Sequence, residues 1–351
     1  MEFVPTPLEF DVSPNFGFLP EREPLQCLPE YFSPWEKLAR NLPQLVKEGE
    51  FFRQQIKQLP LLDHNKLSSE DEWKRAQLVL TCISHAYVWC KGERGVAKIL
   101  PKSLAVPWVS VAKHLDIPPV LTHSTFALYN WRYIDPKRNI ELSVNITGSQ
   151  TEEGFLKVPL QMEAEFGKGC FSITSGQKAV VNNDTEGVLK ALMSLKETIV
   201  QLKKSFLRIY ESSSGGQFLE RMCYYMPPKH RAFIEAVAKG PSIRNYVFAS
   251  GDPDLTREYD LCVGKLTDFR NVHLQVVARY IVIPSNRGKD TKQKGKALIG
   301  TGGSDLMSFL KQIRNETART VSCNNNIGRD SSLELQKELD GVSDNTLIND
   351  V

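Results

Sequence analysis

Six histidines are the residues of this chain best suited to chemistry, and one of them stands where histidines are uncommon. His64, His85, His114, His123, His230 and His273 form no HxxxH or HExxH pair, so a site built from several imidazoles has no support. Asp252-Pro253 opens a long helix whose inward stripe reads Leu255, Tyr259, Cys262, Leu266, Phe269, His273, Val276 and Tyr280. His273 therefore takes a core position, with apolar residues one turn away on either side. A buried neutral imidazole needs a partner for each ring nitrogen, and an unmet one costs about 1–3 kcal/mol. Two readings meet that need. Local hydrogen bonds in an ordinary core are the one that the pattern alone favours; a metal at one nitrogen, with a carbonyl or water at the other, is the second.

A lone histidine on a long helix is also how a proximal haem ligand presents itself. Arg270, one turn earlier, is either a solvated cation or a partner for an anionic group beside His273. Gly300-Thr301-Gly302-Gly303-Ser304 runs straight into a helix beginning at Asp305. Consecutive amides there can cradle an anion, although a flexible helix entry is the commoner meaning. No Gly-Lys-Ser/Thr follows, which excludes a Walker A loop.

The elements that must position these residues read as helical. Residues 1–32 are rich in proline and are expected to form an irregular lead-in on the surface. Ser69-Glu70-Asp71-Glu72 is a capping box opening a helix that carries Trp73, Ala76, Leu80, Ile83 and Tyr87 and ends near Gly92. Residues 100–136 read as short helices broken by Pro101, Pro107, Pro118, Pro119 and Pro136. The segment 138–184 mixes glycine, serine and threonine with short apolar runs and is expected to be a connector, with some short strands possible. From 185, Val188, Leu192, Leu195, Ile199, Leu202, Phe206 and Ile209 make a narrow apolar stripe, the mark of a bundle helix. The helix from Asp252 is expected to reach Ile283, and a last one to span Asp305 to about Thr320. The expected organisation is all-α, with a small N-terminal helical domain (1–137), a connector (138–184), a large helical domain (185–320) and a disordered tail (321–351).

Composition narrows the function classes. The 351 residues are 41% hydrophobic and 24% charged, and the net charge of +3 is too small to imply a nucleic-acid or anionic-membrane partner. No apolar run approaches the roughly 20 residues needed to span a bilayer, and the acidic, proline-bearing start is unlike a signal peptide. The seven cysteines are scattered and form no CxxC, so neither a zinc site nor a disulfide framework is expected. A cytoplasmic location is expected.

Several stretches together resemble one family. Ala86-Tyr87-Val88-Trp89, Leu100-Pro101, Ala105-Val106-Pro107, Pro118-Pro119-Val120-Leu121 and Asn130-Trp131 look like the N-terminal domain of indoleamine 2,3-dioxygenases. Tyr225-Met226-Pro227-Pro228-Lys229-His230-Arg231, His273-Leu274-Gln275-Val276 and Gly300-Thr301-Gly302-Gly303-Ser304-Asp305-Leu306-Met307 resemble their C-terminal domain. The resemblance implies haem b held between the two domains, with His273 as proximal ligand and Arg270 on the propionate side. It makes Thr301 and Gly302 part of a mobile loop closing on haem and substrate. His123, Phe126, Ala127, Phe155, Leu156 and Pro159 fall at pocket-lining positions. His123 stands where some members carry tyrosine, and Pro159 where some carry serine. The implied reaction inserts both atoms of O2 across the indole C2–C3 bond of L-tryptophan to give N-formylkynurenine, the opening of the kynurenine pathway, with a reductase or other electron donor keeping the iron ferrous.

One departure qualifies that expectation. Phe206-Leu207-Arg208-Ile209-Tyr210-Glu211 and Ser213-Ser214-Gly215-Gly216-Gln217-Phe218-Leu219 both resemble the family, where a multi-helix stretch separates them; here they adjoin. The missing stretch carries the arginine that clamps the substrate carboxylate, and none of the five tryptophans here follows a glycine as the family's does. Losing such a clamp costs about 2–5 kcal/mol. Three functions follow as alternatives: a tryptophan dioxygenase, a non-catalytic haem protein that binds O2, and a cofactor-free helical interaction protein.

Overall fold

The protein is described by a computed structural model over residues 3–92, 95–134, 140–208, 226–283 and 306–321. It is all-α, and the strands among these residues, β1 (Arg132–Tyr133) and β2 (Ile140–Glu141), make one two-stranded antiparallel hairpin. The N-terminal helices are α1 (Ser33–Leu45), α2 (Glu50–Gln58), α3 (Glu70–Trp89) and α4 (Lys102–His114). Helix α3 lies at their centre, and every residue from Arg75 to Ser84 is buried, as expected of a helix enclosed on all sides. Ser69 caps it by accepting the Glu72 N–H at 3.2 Å. The return bond of the expected box is shifted by one residue, since the Glu72 carboxylate accepts the Ser68 N–H at 2.8 Å. At the far end Arg53 donates to the carbonyls of Tyr87, Val88 and Gly95 and closes the helix. A buried Glu36–Arg75 pair is bidentate at 2.8 and 2.7 Å, and Arg75 also donates to Ser143.

Three local expectations change. Pro107 lies inside α4 instead of breaking it; one backbone bond is lost, while Leu104, Trp108 and Val111 on the same helix are buried in the main core. Most of 138–184 is helix, with α5 (Gln150–Glu165) and α6 (Gly167–Val181) following β2. The glycines that made it look like a loop serve close packing: a Cβ at Gly176 would lie 2.8 Å from Ile243 and 3.1 Å from Ala191. The lead-in is irregular as expected, but it is not merely superficial. Val12, Phe18 and Leu19 are buried against Leu160, Cys170 and Phe233.

Helix α7 (Thr185–Leu207) buries Val188, Leu192, Ile199, Leu202 and Phe206 of its expected stripe, and packs on α6. The C-terminal helices are α8 (Pro228–Lys239), α9 (Ile243–Ser250), α10 (Pro253–Val277) and α11 (Leu306–Ala318). The Asp252 carboxylate caps α10, accepting the N–H groups of Asp254 and Leu255 at 2.8 and 3.1 Å. Helix α10 packs against α7, α9 and α11, and continues as a wider π-helical turn over Ala278–Val282. The expected disordered tail lies outside the described residues. No helix among the described residues is long and apolar enough to cross a membrane.

Candidate functional site

His273 is set near the end of α10, where the helix runs against α7. Its ring meets Phe206 of α7 edge-on, with centroids 5.6 Å apart. Phe206 in turn belongs to an apolar cluster with Val158 and Met162 of α5, Phe269, Val272 and Val276 of α10, and Tyr280. Burial in this setting pushes the His273 imidazole below the ordinary histidine value, and the nearby Arg270 charge pushes the same way. His273 is thus held as a neutral ring, the form that can donate a lone pair. The half-buried ring makes no hydrogen bond or ion pair among the described residues.

Arg270 lies one turn earlier on α10. Its Nε is buried and meets no acceptor. Burial lowers its pKa from the ordinary arginine value, and the Glu316 carboxylate of α11 partly offsets that. A guanidinium nitrogen removed from water without an acceptor is costly, of order 1–3 kcal/mol. Together the two side chains present a neutral nitrogen ligand and an unsatisfied cationic donor on one stretch of helix. A planar metal complex carrying anionic arms fits that pair of needs.

The residues expected to line a pocket fall on two segments. His123 precedes a π-helical turn, Ser124–Leu128, and its Nε2 pairs with Glu163 Oε1 at 2.9 Å. Phe126 and Ala127 are fully buried. Leu156 of α5 shares the main core cluster with Phe126, whereas Val158, two residues on, faces the cluster that holds Phe206. Pro159 is half-buried inside α5. Helix α5 therefore packs on the His123 turn and on α7, and Val158 joins it to the apolar cluster that includes Val272 and Val276 of α10. Phe155 falls within α5 but its side chain lies outside the described residues, as do Thr301 and Gly302 altogether. Glu163 was not among the expected residues; it becomes visible only once α5 is known to be a helix, one turn beyond Pro159. Among the described residues no three His, Cys, Asp or Glu side chains converge on a point where a metal ion could sit.

The fold and the site define an all-helical protein whose long helix carries a half-buried histidine one turn from an arginine whose Nε meets no acceptor. A family model described as Indoleamine 2,3-dioxygenase matches residues 6–216 and 211–320. The chain belongs to the indoleamine 2,3-dioxygenase family. It is 31% identical to Indoleamine 2,3-dioxygenase 2 of Mus musculus over 386 aligned positions, covering 90% of this chain and 95% of that protein. It is 30% identical to Indoleamine 2,3-dioxygenase qulI of Penicillium citrinum, covering 88% of this chain and 87% of the relative. It is also 31% identical to the Myoglobin of Haliotis diversicolor, covering 89% and 97%. With the mouse relative, 90% of 351 residues is about 316, so about 70 of the 386 positions fall opposite gaps in this chain. The two family stretches meet at 211–216, beside the junction where the sequence brings two normally separated segments together.

Proposed function

We propose that this chain is a haem-dependent dioxygenase that opens the indole ring of L-tryptophan, or of a close indoleamine, to the N-formylkynurenine product. The observation that carries this reading is His273, an imidazole set against the apolar Phe206 cluster with no hydrogen-bonding partner among the described residues, one turn from the Arg270 donor. A metal held by one protein histidine has to bring its other ligands with it, as iron in haem b does. His273 would hold the iron and Arg270 would meet a propionate, satisfying the Nε that the protein leaves unpaired. Thr301 and Gly302 lie outside the described residues and join this reading only through the family resemblance.

When bound, ferrous haem supplies the means for O2 to react with a closed-shell indole; an electron donor outside the chain keeps it ferrous. The chain's own part is exclusion and placement. Phe206, Phe269 and Val276 keep water from the His273 side. The wall formed by His123, Phe126, Ala127, Phe155, Leu156 and Pro159 would shape the indole side, holding the ring in a dry slot. No side chain needs to remove a proton for both oxygen atoms to enter the product.

A second reading, an O2-binding haem protein without turnover, is favoured by two observations. The Myoglobin relative matches nearly its whole length, and the resemblance puts the carboxylate clamp on a stretch that has no counterpart between Glu211 and Ser213 of this chain. The test is the absorption spectrum of the reduced protein with CO, run beside His273→Ala. A Soret band that shifts with CO and is lost in His273→Ala supports both haem readings; its absence from the parent protein rejects both. Formylkynurenine released from tryptophan under reducing conditions then selects the dioxygenase, and an intact CO spectrum with no product selects the carrier.

A further inference from the structure

The two segments assigned above to the pocket wall are tied together by one polar pair. His123 leads the turn Ser124–Leu128, Glu163 is near the end of α5, and His123 Nε2 lies 2.9 Å from Glu163 Oε1. The pair is well removed from water, with side-chain exposures of 13% for the imidazole and 26% for the carboxylate. Pro159, one turn earlier on the same helix, has no side-chain hydrogen-bonding group and no backbone N–H. The pair thus supplies a polar group on α5 that Pro159 cannot. The Glu163 backbone is itself fixed, because Gly17 of the lead-in seats against its carbonyl so closely that any Cβ there would overlap the oxygen.

We infer that Glu163 is a positioning residue that sets the tautomer and orientation of His123 in the wall of the indole pocket. An ionised carboxylate only accepts, so the hydrogen bond requires the proton of a neutral His123 to be on Nε2. Nδ1 is then the ring's accepting nitrogen, and the ring plane is fixed by a partner on a different helix. Without Glu163 the ring loses its anchor on α5 and, with it, the hydrogen bond that holds the proton on Nε2. The role of the pair toward an indole ligand rests on the reading of the site given above; the tautomer itself does not.

The test uses the full chain, reconstituted with haem, in the parent form and as Glu163→Leu and Glu163→Gln. Glutamine keeps an oxygen acceptor without the charge, while leucine removes both. Nitrogen-15 spectra of labelled histidine, with His123 assigned through His123→Phe, read the tautomer directly. The expected result is the Nε2–H form in the parent and in Glu163→Gln, and a mixture in Glu163→Leu. Tryptophan affinity, followed by the shift it causes in the ferrous–CO spectrum, is expected to fall about tenfold in Glu163→Leu and to be largely restored in Glu163→Gln. An unchanged tautomer in Glu163→Leu overturns the inference. So does an altered tautomer that leaves tryptophan affinity untouched. A parent protein that takes up no haem, or whose CO spectrum ignores tryptophan, instead rejects the proposed function, and the nitrogen-15 result then still decides whether Glu163 sets the ring.

Discussion

Acid should loosen the turn that carries His123, and the responsible group lies on α3. His85 Nε2 accepts the backbone N–H of Leu121 at 3.1 Å, two residues before His123, with Trp108 edge-on to its ring. Burial pushes the pKa of His85 down to about 4. In the unfolded chain the ring takes its proton near the ordinary value of about 6.5. Between those limits the unfolded state binds more protons than the folded one, so stability is full above about pH 6.5 and declines as the pH falls toward 4. At about pH 4.5 the loss works out at ~2.5 kcal/mol; the part of the residue that still meets water trims it, and about 2 kcal/mol is expected. Glutamine at this position offers an amide oxygen near the Nε2 site and does not titrate. Urea unfolding at about pH 7.5 and about pH 4.5 should therefore show a smaller acid-induced drop in His85→Gln than in the parent, by about 2 kcal/mol. Carboxylates common to both proteins cancel in that comparison. Equal drops in the two proteins would refute the reasoning.

Other expectations follow from the same geometry. Arg75→Met leaves the buried Glu36 carboxylate without its bidentate partner and should cost about 3–5 kcal/mol in urea unfolding, most of it recovered when Glu36→Leu is added. Gly17→Ala combines a backbone φ of +58° with a collision at the Glu163 carbonyl, and should cost more than about 1 kcal/mol while exposing the lead-in to limited proteolysis. Arg270→Leu removes an unsatisfied buried donor, so the apoprotein should unfold at an equal or higher urea concentration. On the proposed function the same variant should hold haem about tenfold more weakly in transfer to apomyoglobin, and a weaker apoprotein with unchanged haem affinity would speak against the propionate role.

The helices that position the site were legible where local rules and burial agreed. Asp252-Pro253 signals a capped start, and α10 begins there; the α7 stripe signals one buried face, and Val188, Leu192, Ile199, Leu202 and Phe206 form it. His273 stood out because a titratable residue interrupted an apolar period. What could not be read was structure that depends on contacts distant in sequence. Gly154 and Pro159 weaken any expectation of helix for α5, and Gly167, Gly169 and Gly176 do the same for α6, yet these glycines and the proline lie in helices stabilised by tertiary packing. Small residues chosen for close approach and small residues chosen for flexibility look alike in a sequence. Glu163 was missed for the same reason, since its partner is 40 positions away and no periodicity links them.

The seating of the lead-in has a consequence for how the protein is made. Phe10 and Phe18 find their aromatic partners at Phe233 and His230, and Asp11 pairs with Lys229, more than 200 residues further along the chain. A ribosome adding about 5–20 residues per second leaves those first rings without their partners for roughly 10–40 s while the intervening helices emerge. During synthesis the rings of Phe10 and Phe18 thus stay without these partners until α8 has left the exit tunnel.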